Sequence, residues 1–121
     1  TVERRDHYVK QEGKQVFKFA VTNMADVSAE IMEKNNLKSD DIDWLVPHQA
    51  NVRIIDGVGK KLGINPDKVM VNVQKYGNTS SASVPIALVE AMETGRCKKG
   101  DIIATVAIGG GMTWGCNIIR L

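Results

Sequence analysis

The stretch Ile102-Ile103-Ala104-Thr105-Val106-Ala107-Ile108 constrains the fold more than any other part of the chain. It does not alternate apolar with polar residues, so it reads as a strand buried on both faces rather than one with a wet side. It is also too short to span a bilayer. Gly109-Gly110-Gly111 breaks it, and Thr113 to Leu121 can return as an antiparallel neighbour.

The remaining segments supply cover for such a strand. From Gln15 to Ile31 the apolar residues Val16, Phe17, Ala20, Val21, Met24, Val27 and Ile31 recur at helical spacing, with Lys14, Lys18, Asp26, Glu30 and Glu33 on the other face. Asn35-Asn36 can end that helix. Asp41 to Pro47 reads as a short strand, which leaves His48 just past its carboxyl end. A second amphipathic helix runs from about Asn51 to Leu62, with Ile54, Ile55, Val58 and Leu62 on one side and Arg53, Asp56, Lys60 and Lys61 on the other. Gly63 suits its carboxyl cap. Asn65-Pro66-Asp67 forms a turn, Val69 to Val73 is strand-like, and Gly77 to Ser83 is a loop of small residues. A helix from about Val84 to Met92 follows, with Pro85 in its first turn and Gly95 near its end. At the amino terminus, Glu3 to Asp6 is charge-rich and Tyr8-Val9-Lys10 reads as a short strand or arm. The order helix, strand, helix, strand, helix, strand, strand predicts a layered α/β fold with a mixed sheet ending in an antiparallel strand pair.

Ligands of such sheets sit outside the carboxyl ends of the strands. His48, Gly77-Asn78 and Gly109-Gly110-Gly111 each follow a strand, so three loops are expected on one rim. Individually each has an ordinary explanation: a structural histidine, a Gly-Asn turn with serine capping, and hairpin chemistry. The loop after Gly77 lacks GxSxG, so it is no hydrolase elbow. Gly57-Val58-Gly59-Lys60-Lys61-Leu62-Gly63 lies within an amphipathic helix and lacks the spacing of a nucleotide loop.

Composition narrows the classes. The 121 residues suffice for one domain, and a net charge of +2 gives no reason to expect nucleic acid. Two histidines and two unpaired-looking cysteines give no reason to expect a zinc site or a disulfide. The expectation is a reduced, cytoplasmic protein with no membrane partner. Cys97 sits in a polar turn with Arg96, Lys98 and Lys99, and Cys116 belongs to the last strand. Neither position suits a nucleophile.

Val46-Pro47-His48-Gln49-Ala50-Asn51, Gly77-Asn78-Thr79-Ser80-Ser81-Ala82-Ser83 and Gly109-Gly110-Gly111-Met112-Thr113-Trp114-Gly115 occur in this order. Together they resemble the β-ketoacyl-acyl carrier protein synthase III family, thiolase-fold condensing enzymes of bacterial fatty acid synthesis. The resemblance runs from Phe17 to Leu121 and matches the carboxyl-terminal half, so the whole chain is expected to be one thiolase-like half-domain. It implies an acyltransferase carrying out a decarboxylative Claisen condensation of acyl-CoA with malonyl-acyl carrier protein, giving 3-oxoacyl-acyl carrier protein. The family's catalytic cysteine lies in the amino-terminal half, so this chain by itself is expected to be inactive. His48 and Asn78 are implied as catalytic donors to the malonyl thioester oxygen, and the Gly110 N–H as part of a second oxyanion hole. Gln49, Ala50, Asn51, Val52, Arg53, Lys60, Lys61 and Lys18 are implied at the carrier-protein surface. Phe17, Ala50 and Asn51 are implied along the tunnel for CoA or phosphopantetheine. CoA thioesters and the carrier's phosphopantetheine are substrates in this scheme, with no cofactor or metal, and the intact enzyme is expected to be a homodimer. Met112 departs from the aromatic residue expected after the triple glycine. Two other readings stand: a binding module for carrier protein or CoA without catalysis, and a related polyketide-type condensing enzyme. A half-domain is further expected to expose an apolar face.

Overall fold

The computed structural model describes residues 13–111 and 113–121; the reading of Tyr8-Val9-Lys10 and that of the Met112 side chain lie outside them. The elements are α1 (Gly13–Lys34), β1 (Trp44–Pro47), α2 (Val52–Leu62), α3 (Val73–Tyr76), α4 (Ser83–Glu93), β2 (Ile102–Gly109) and β3 (Thr113–Arg120). Short 3-10 turns lie at Ser39–Asp41, Pro66–Lys68 and Ser80–Ala82.

The apolar run is the middle strand of the sheet, as its composition requires. β2 pairs parallel with β1, from Trp44↔Ile103 to Pro47↔Val106, and antiparallel with β3, from Ile102↔Arg120 to Gly109↔Thr113. Alternate residues of β2 then serve two cores. Ala104 and Val106 join Leu45, Ala20, Met24, Ile54 and Val58 beneath α1 and α2. Ile103 joins Val46, Met70, Ala87, Ala91 and Cys97 beneath α4. A strand with helices on both faces has no polar side to show, and this is why its sequence does not alternate.

The helices end where the sequence placed their stops. Asn36, Gly63 and Gly95 all have positive φ, and the residue after each donates back across the turn: Leu37 to Met32, Ile64 to Gly59 and Arg96 to Ala91, at 2.8 to 3.0 Å. Inside α2, Gly57 has a packing reason. A Cβ there would come within 3.0 Å of Val21 Cγ2, so the missing side chain lets α1 and α2 approach closely. Gly57 thus serves helix packing, and Gly59 lies against Val69, where a Cβ would come within 3.3 Å of its Cγ2.

One predicted element is corrected. Val69 to Val73 does not form a strand of the sheet. A single parallel bridge joins Val69 to Leu45, Met70 N–H donates to the Leu45 carbonyl at 2.9 Å, and the chain then turns into α3. The cause is local. Pro47 has no N–H to offer along that edge, and the buried Gln49 side chain takes the groups a further strand would use. Its Nε2 donates to Pro47 O (2.9 Å) and Met70 O (3.0 Å), and its Oε1 accepts from Asn72 N (2.9 Å) and Val73 N (3.1 Å). A carboxamide offers the same donor and acceptor types as a peptide group. Here it finishes the edge in place of one.

Candidate functional site

His48 begins where β1 stops. Its backbone N–H extends the ladder by donating to Val106 O at 2.7 Å, which fixes the residue at the carboxyl end of the two parallel strands. The residue is 9% exposed. Its Nδ1 meets the Ser83 hydroxyl at the first residue of α4. That same oxygen accepts from the Gln49 backbone N–H at 3.3 Å. Burial lowers the pKa of the imidazole below its ordinary 6.5, so the ring is neutral at physiological pH.

Asn78 is built differently. It is exposed, and its Oδ1 accepts from Ser80 N–H at 2.9 Å in an Asx turn. The acceptor end of the amide is therefore occupied, which leaves the NH₂ for a ligand. Asn78 follows α3 and not a strand end as expected, and the loop carrying it runs into Ser83, the residue in contact with His48. Gly110 lies in the exposed hairpin turn between β2 and β3, on the rim where β2 ends, and its carbonyl accepts from Thr113 Oγ1 at 3.2 Å.

The predicted partner-facing residues divide. Lys18, Asn51, Val52, Arg53, Lys60 and Lys61 are all exposed, and Ala50 is half-buried. The Asn51 side chain caps α2 by accepting from Ile54 N–H at 2.9 Å. The Arg53 guanidinium lies 5.2 Å from the centre of the half-buried Phe17 ring, so a residue predicted for the protein surface and one predicted for the tunnel are in contact. Gln49 is a correction. At 1% exposure, with both ends of its carboxamide bonded as described above, it has no surface to offer a carrier protein. It is a bracket beneath the site.

Both cysteines are poor nucleophiles where they stand. Cys97 is buried against α4, where burial first and then Asp101 and Asp43 push its thiol pKa up. Cys116 lies half-buried on β3, where burial raises it and a contact with Ser28 only partly opposes the shift. Each stays a thiol at neutral pH. Among the described residues no group of three His, Cys, Asp or Glu side chains could hold a metal, and no helix is long and apolar enough to cross a membrane. Among the described residues, five large apolar side chains are 42 to 51% exposed: Val52, Tyr76, Val89, Met92 and Trp114. Trp114 also makes an edge contact with Phe19, ring centres 5.4 Å apart.

The sequence reading missed Ser83 as a site residue and took it for loop capping. Its signal was a small hydroxyl residue opening an apolar helix, directly after the loop that carries Asn78. That pattern names a cap far more often than a partner for a distant histidine.

Residues 32–121 match the family model described as 3-oxoacyl-[acyl-carrier-protein (ACP)] synthase III C terminal. The chain is 52% identical over 120 residues to a β-ketoacyl-[acyl-carrier-protein] synthase III of Porphyromonas gingivalis, covering 99% of this chain and 35% of that protein. The crystal structure of 3-oxoacyl-[acyl-carrier-protein] synthase III from Aquifex aeolicus VF5 superposes with a TM-score of 0.93 at 49% identity, over 94% of this chain and 37% of that one. Cerulenin-bound OleA of Xanthomonas campestris shares the fold at 29% identity with a TM-score of 0.82, over 89% of this chain and 33% of that one. The chain therefore spans about a third of the length of the relatives it matches. With the order of its three loop motifs, these matches make the chain a member of the 3-oxoacyl-[acyl-carrier-protein] synthase III family, in its carboxyl-terminal, thiolase-like half.

Proposed function

We propose that this chain supplies the enolate-holding half of a condensing active site. The intact protein would join an acyl group from acyl-CoA to malonyl-acyl carrier protein, with His48 and Asn78 gripping the malonyl thioester oxygen. The observation that supports the reading is a pair of neutral groups, one just past β1 and one in the loop that leads into Ser83, the partner of the first. Burial keeps the His48 imidazole uncharged, and the Asn78 amide has its oxygen tied to Ser80, so each has an N–H to give.

That is what decarboxylation of a malonyl thioester asks for. Breaking the bond between the methylene carbon and the carboxylate releases carbon dioxide and leaves the electron pair on the thioester as an enolate. Charge grows on the carbonyl oxygen, and preorganised donors there lower the barrier by roughly 3 kcal/mol each. The enolate carbon then attacks an acyl-cysteine thioester, the new carbon–carbon bond forms, and the thiolate leaves. An amide and a neutral imidazole hold the enolate without readily protonating it, which would end the reaction early. In the family that cysteine belongs to the other half. Gly110 N–H would help hold the second oxyanion, formed as the acyl-cysteine is attacked.

The carrier protein would dock on the exposed cations of α1 and α2. Arg53, Lys60 and Lys61 line one side of α2 and Lys18 is exposed on α1, cations suited to an acidic partner. Phe17, Ala50 and Asn51 would then flank the path of the pantetheine arm. Such an enzyme acts on soluble thioesters and would work in the cytoplasm, as a homodimer.

The test is to join this chain to a cysteine-bearing amino-terminal half and measure carbon dioxide release from malonyl-carrier protein and formation of the 3-oxoacyl product. Dependence on both His48 and Asn78 is expected. Decarboxylation that persists at full rate in His48→Ala and Asn78→Ala would overturn the assignment.

A further inference from the structure

We infer that Ser83 is a positioning residue: its hydroxyl donates to His48 Nδ1 and so holds the imidazole proton on Nε2, the nitrogen left to face substrate. The inference rests on the reading of His48 as a hydrogen-bond donor, and it explains how that donor is made.

Ser83 is 2% exposed, and its Oγ already accepts from the Gln49 N–H at 3.3 Å. Among the described residues, the one acceptor that meets its O–H is His48 Nδ1. Two arrangements are possible. If Nδ1 carried the proton, the serine oxygen would receive two N–H groups while its own buried proton had nowhere to go. An unsatisfied buried donor costs about 1 to 3 kcal/mol. If Nδ1 is bare, the serine proton is satisfied, the oxygen keeps the Gln49 N–H, and the ring's single proton must sit on Nε2. The second arrangement gives the buried serine proton an acceptor and leaves its oxygen to the Gln49 N–H.

The choice of a hydroxyl as orienting partner has a chemical consequence. Histidines used as general bases commonly set their tautomer with a carboxylate, which favours the imidazolium form. A serine fixes the proton's place without adding negative charge. No Asp or Glu contributes to the shift of His48, whose cause is burial. The ring is thereby kept a donor and kept from becoming the acid that would quench an enolate. Ser83 and the loop from Asn78 are also one continuous segment, so the residue that orients the first donor ends the loop that presents the second.

The experiment reads the ring nitrogens of His48 by ¹⁵N-edited NMR in the complete, assembled protein near neutral pH, with His7→Gln to remove the other histidine signal of this chain. Expected is a protonated Nε2 and an unprotonated, hydrogen-bonded Nδ1. In Ser83→Ala the ring should populate both tautomers, and kcat for malonyl decarboxylation should fall roughly 10- to 100-fold with KM changed less than about twofold. Ser83→Thr, which keeps the hydroxyl, should recover most of both signals. A proton on Nδ1 in the unsubstituted protein would overturn the proposal without any variant having to fold. So would a Ser83→Ala protein with unchanged spectrum and kcat, or a Ser83→Thr protein as impaired as Ser83→Ala. A His48→Ala protein that still decarboxylates at full rate would instead sink the assignment of His48, while the spectrum would still decide the tautomer.

Discussion

His48 and Asn78, the two donors proposed for one malonyl oxygen, are held by the molecule in opposite ways. His48 is 9% exposed, anchored through its backbone to β2 and through its ring to α4. Asn78 stands exposed on a loop, with its side chain held by Ser80 of that loop. The first arm is therefore part of the core and should be felt in stability as well as in chemistry. The second should be felt in chemistry alone. A protein that builds one rigid donor and one held only locally has a reference point against which the second can be placed when substrate arrives.

The sharpest way to break this contrast is beneath it. Gln49→Leu would leave Pro47 O, Met70 O, Asn72 N and Val73 N without the partners they now have. A loss of about 4 kcal/mol of folding stability by urea unfolding is expected, since each buried orphan costs about 1 to 3 kcal/mol and water reaches some of them. A loss under about 1 kcal/mol would mean that the bracket is dispensable.

The arms themselves come next. In the assembled enzyme, His48→Ala and Asn78→Ala should each slow malonyl decarboxylation by about 100- to 1,000-fold, the effect of losing one preorganised donor. Their stabilities should separate. His48→Ala strands the buried Ser83 hydroxyl and should cost about 1 to 2 kcal/mol. Asn78→Ala should stay within about 0.5 kcal/mol of the parent. Equal destabilisation by the two would erase the distinction between an arm in the core and an arm on a loop.

Acidity gives a third handle. Burial lowers the folded-state pKa of His48 below 6.5, so beneath that value the unfolded chain takes up this proton more readily than the folded one. The contribution of His48 to stability is therefore complete above pH 6.5 and declines as the pH falls from there toward the folded-state pKa. The difference in melting temperature between the parent and His48→Gln should shrink through that interval. Asn78→Ala should run parallel to the parent at every pH, because an amide does not titrate.

The smallest effect is expected at the outer surface. Arg53→Ala removes a cation from the α2 face and its contact with Phe17, a change in stability of about 0.5 to 1 kcal/mol. Binding of an acidic carrier protein should weaken, and the deficit should narrow as salt screens the parent's own attraction. A deficit that does not change with salt would place Arg53 in packing alone.

Much of this was legible in the chain. The non-alternating run of β2, the amphipathic periods of α1 and α2 and the stops at Gly63 and Gly95 are local patterns, and they became the elements they suggested. The strand ends before His48 and at Gly109 were legible because they are also local, whereas Gly77-Asn78 follows α3 and not the strand expected before it. Two things were hidden for one reason. The strand expected at Val69 to Val73 and the true task of Gln49 both depend on a side chain reaching residues more than twenty positions away. Glutamine beside histidine in a loop carries no mark of where its amide will point. Ser83 was concealed in the same way, since its bond to His48 spans 35 positions of the chain.

The Gln49 bracket has a kinetic corollary. A strand at Val69 to Val73 would have zipped residue by residue along β1; a single carboxamide opens or closes in one event. The amide hydrogens of Asn72 and Val73 are thus built-in clocks for that event. Their exchange rate with solvent should track how often the floor of the site comes loose, long before the rest of the sheet lets go.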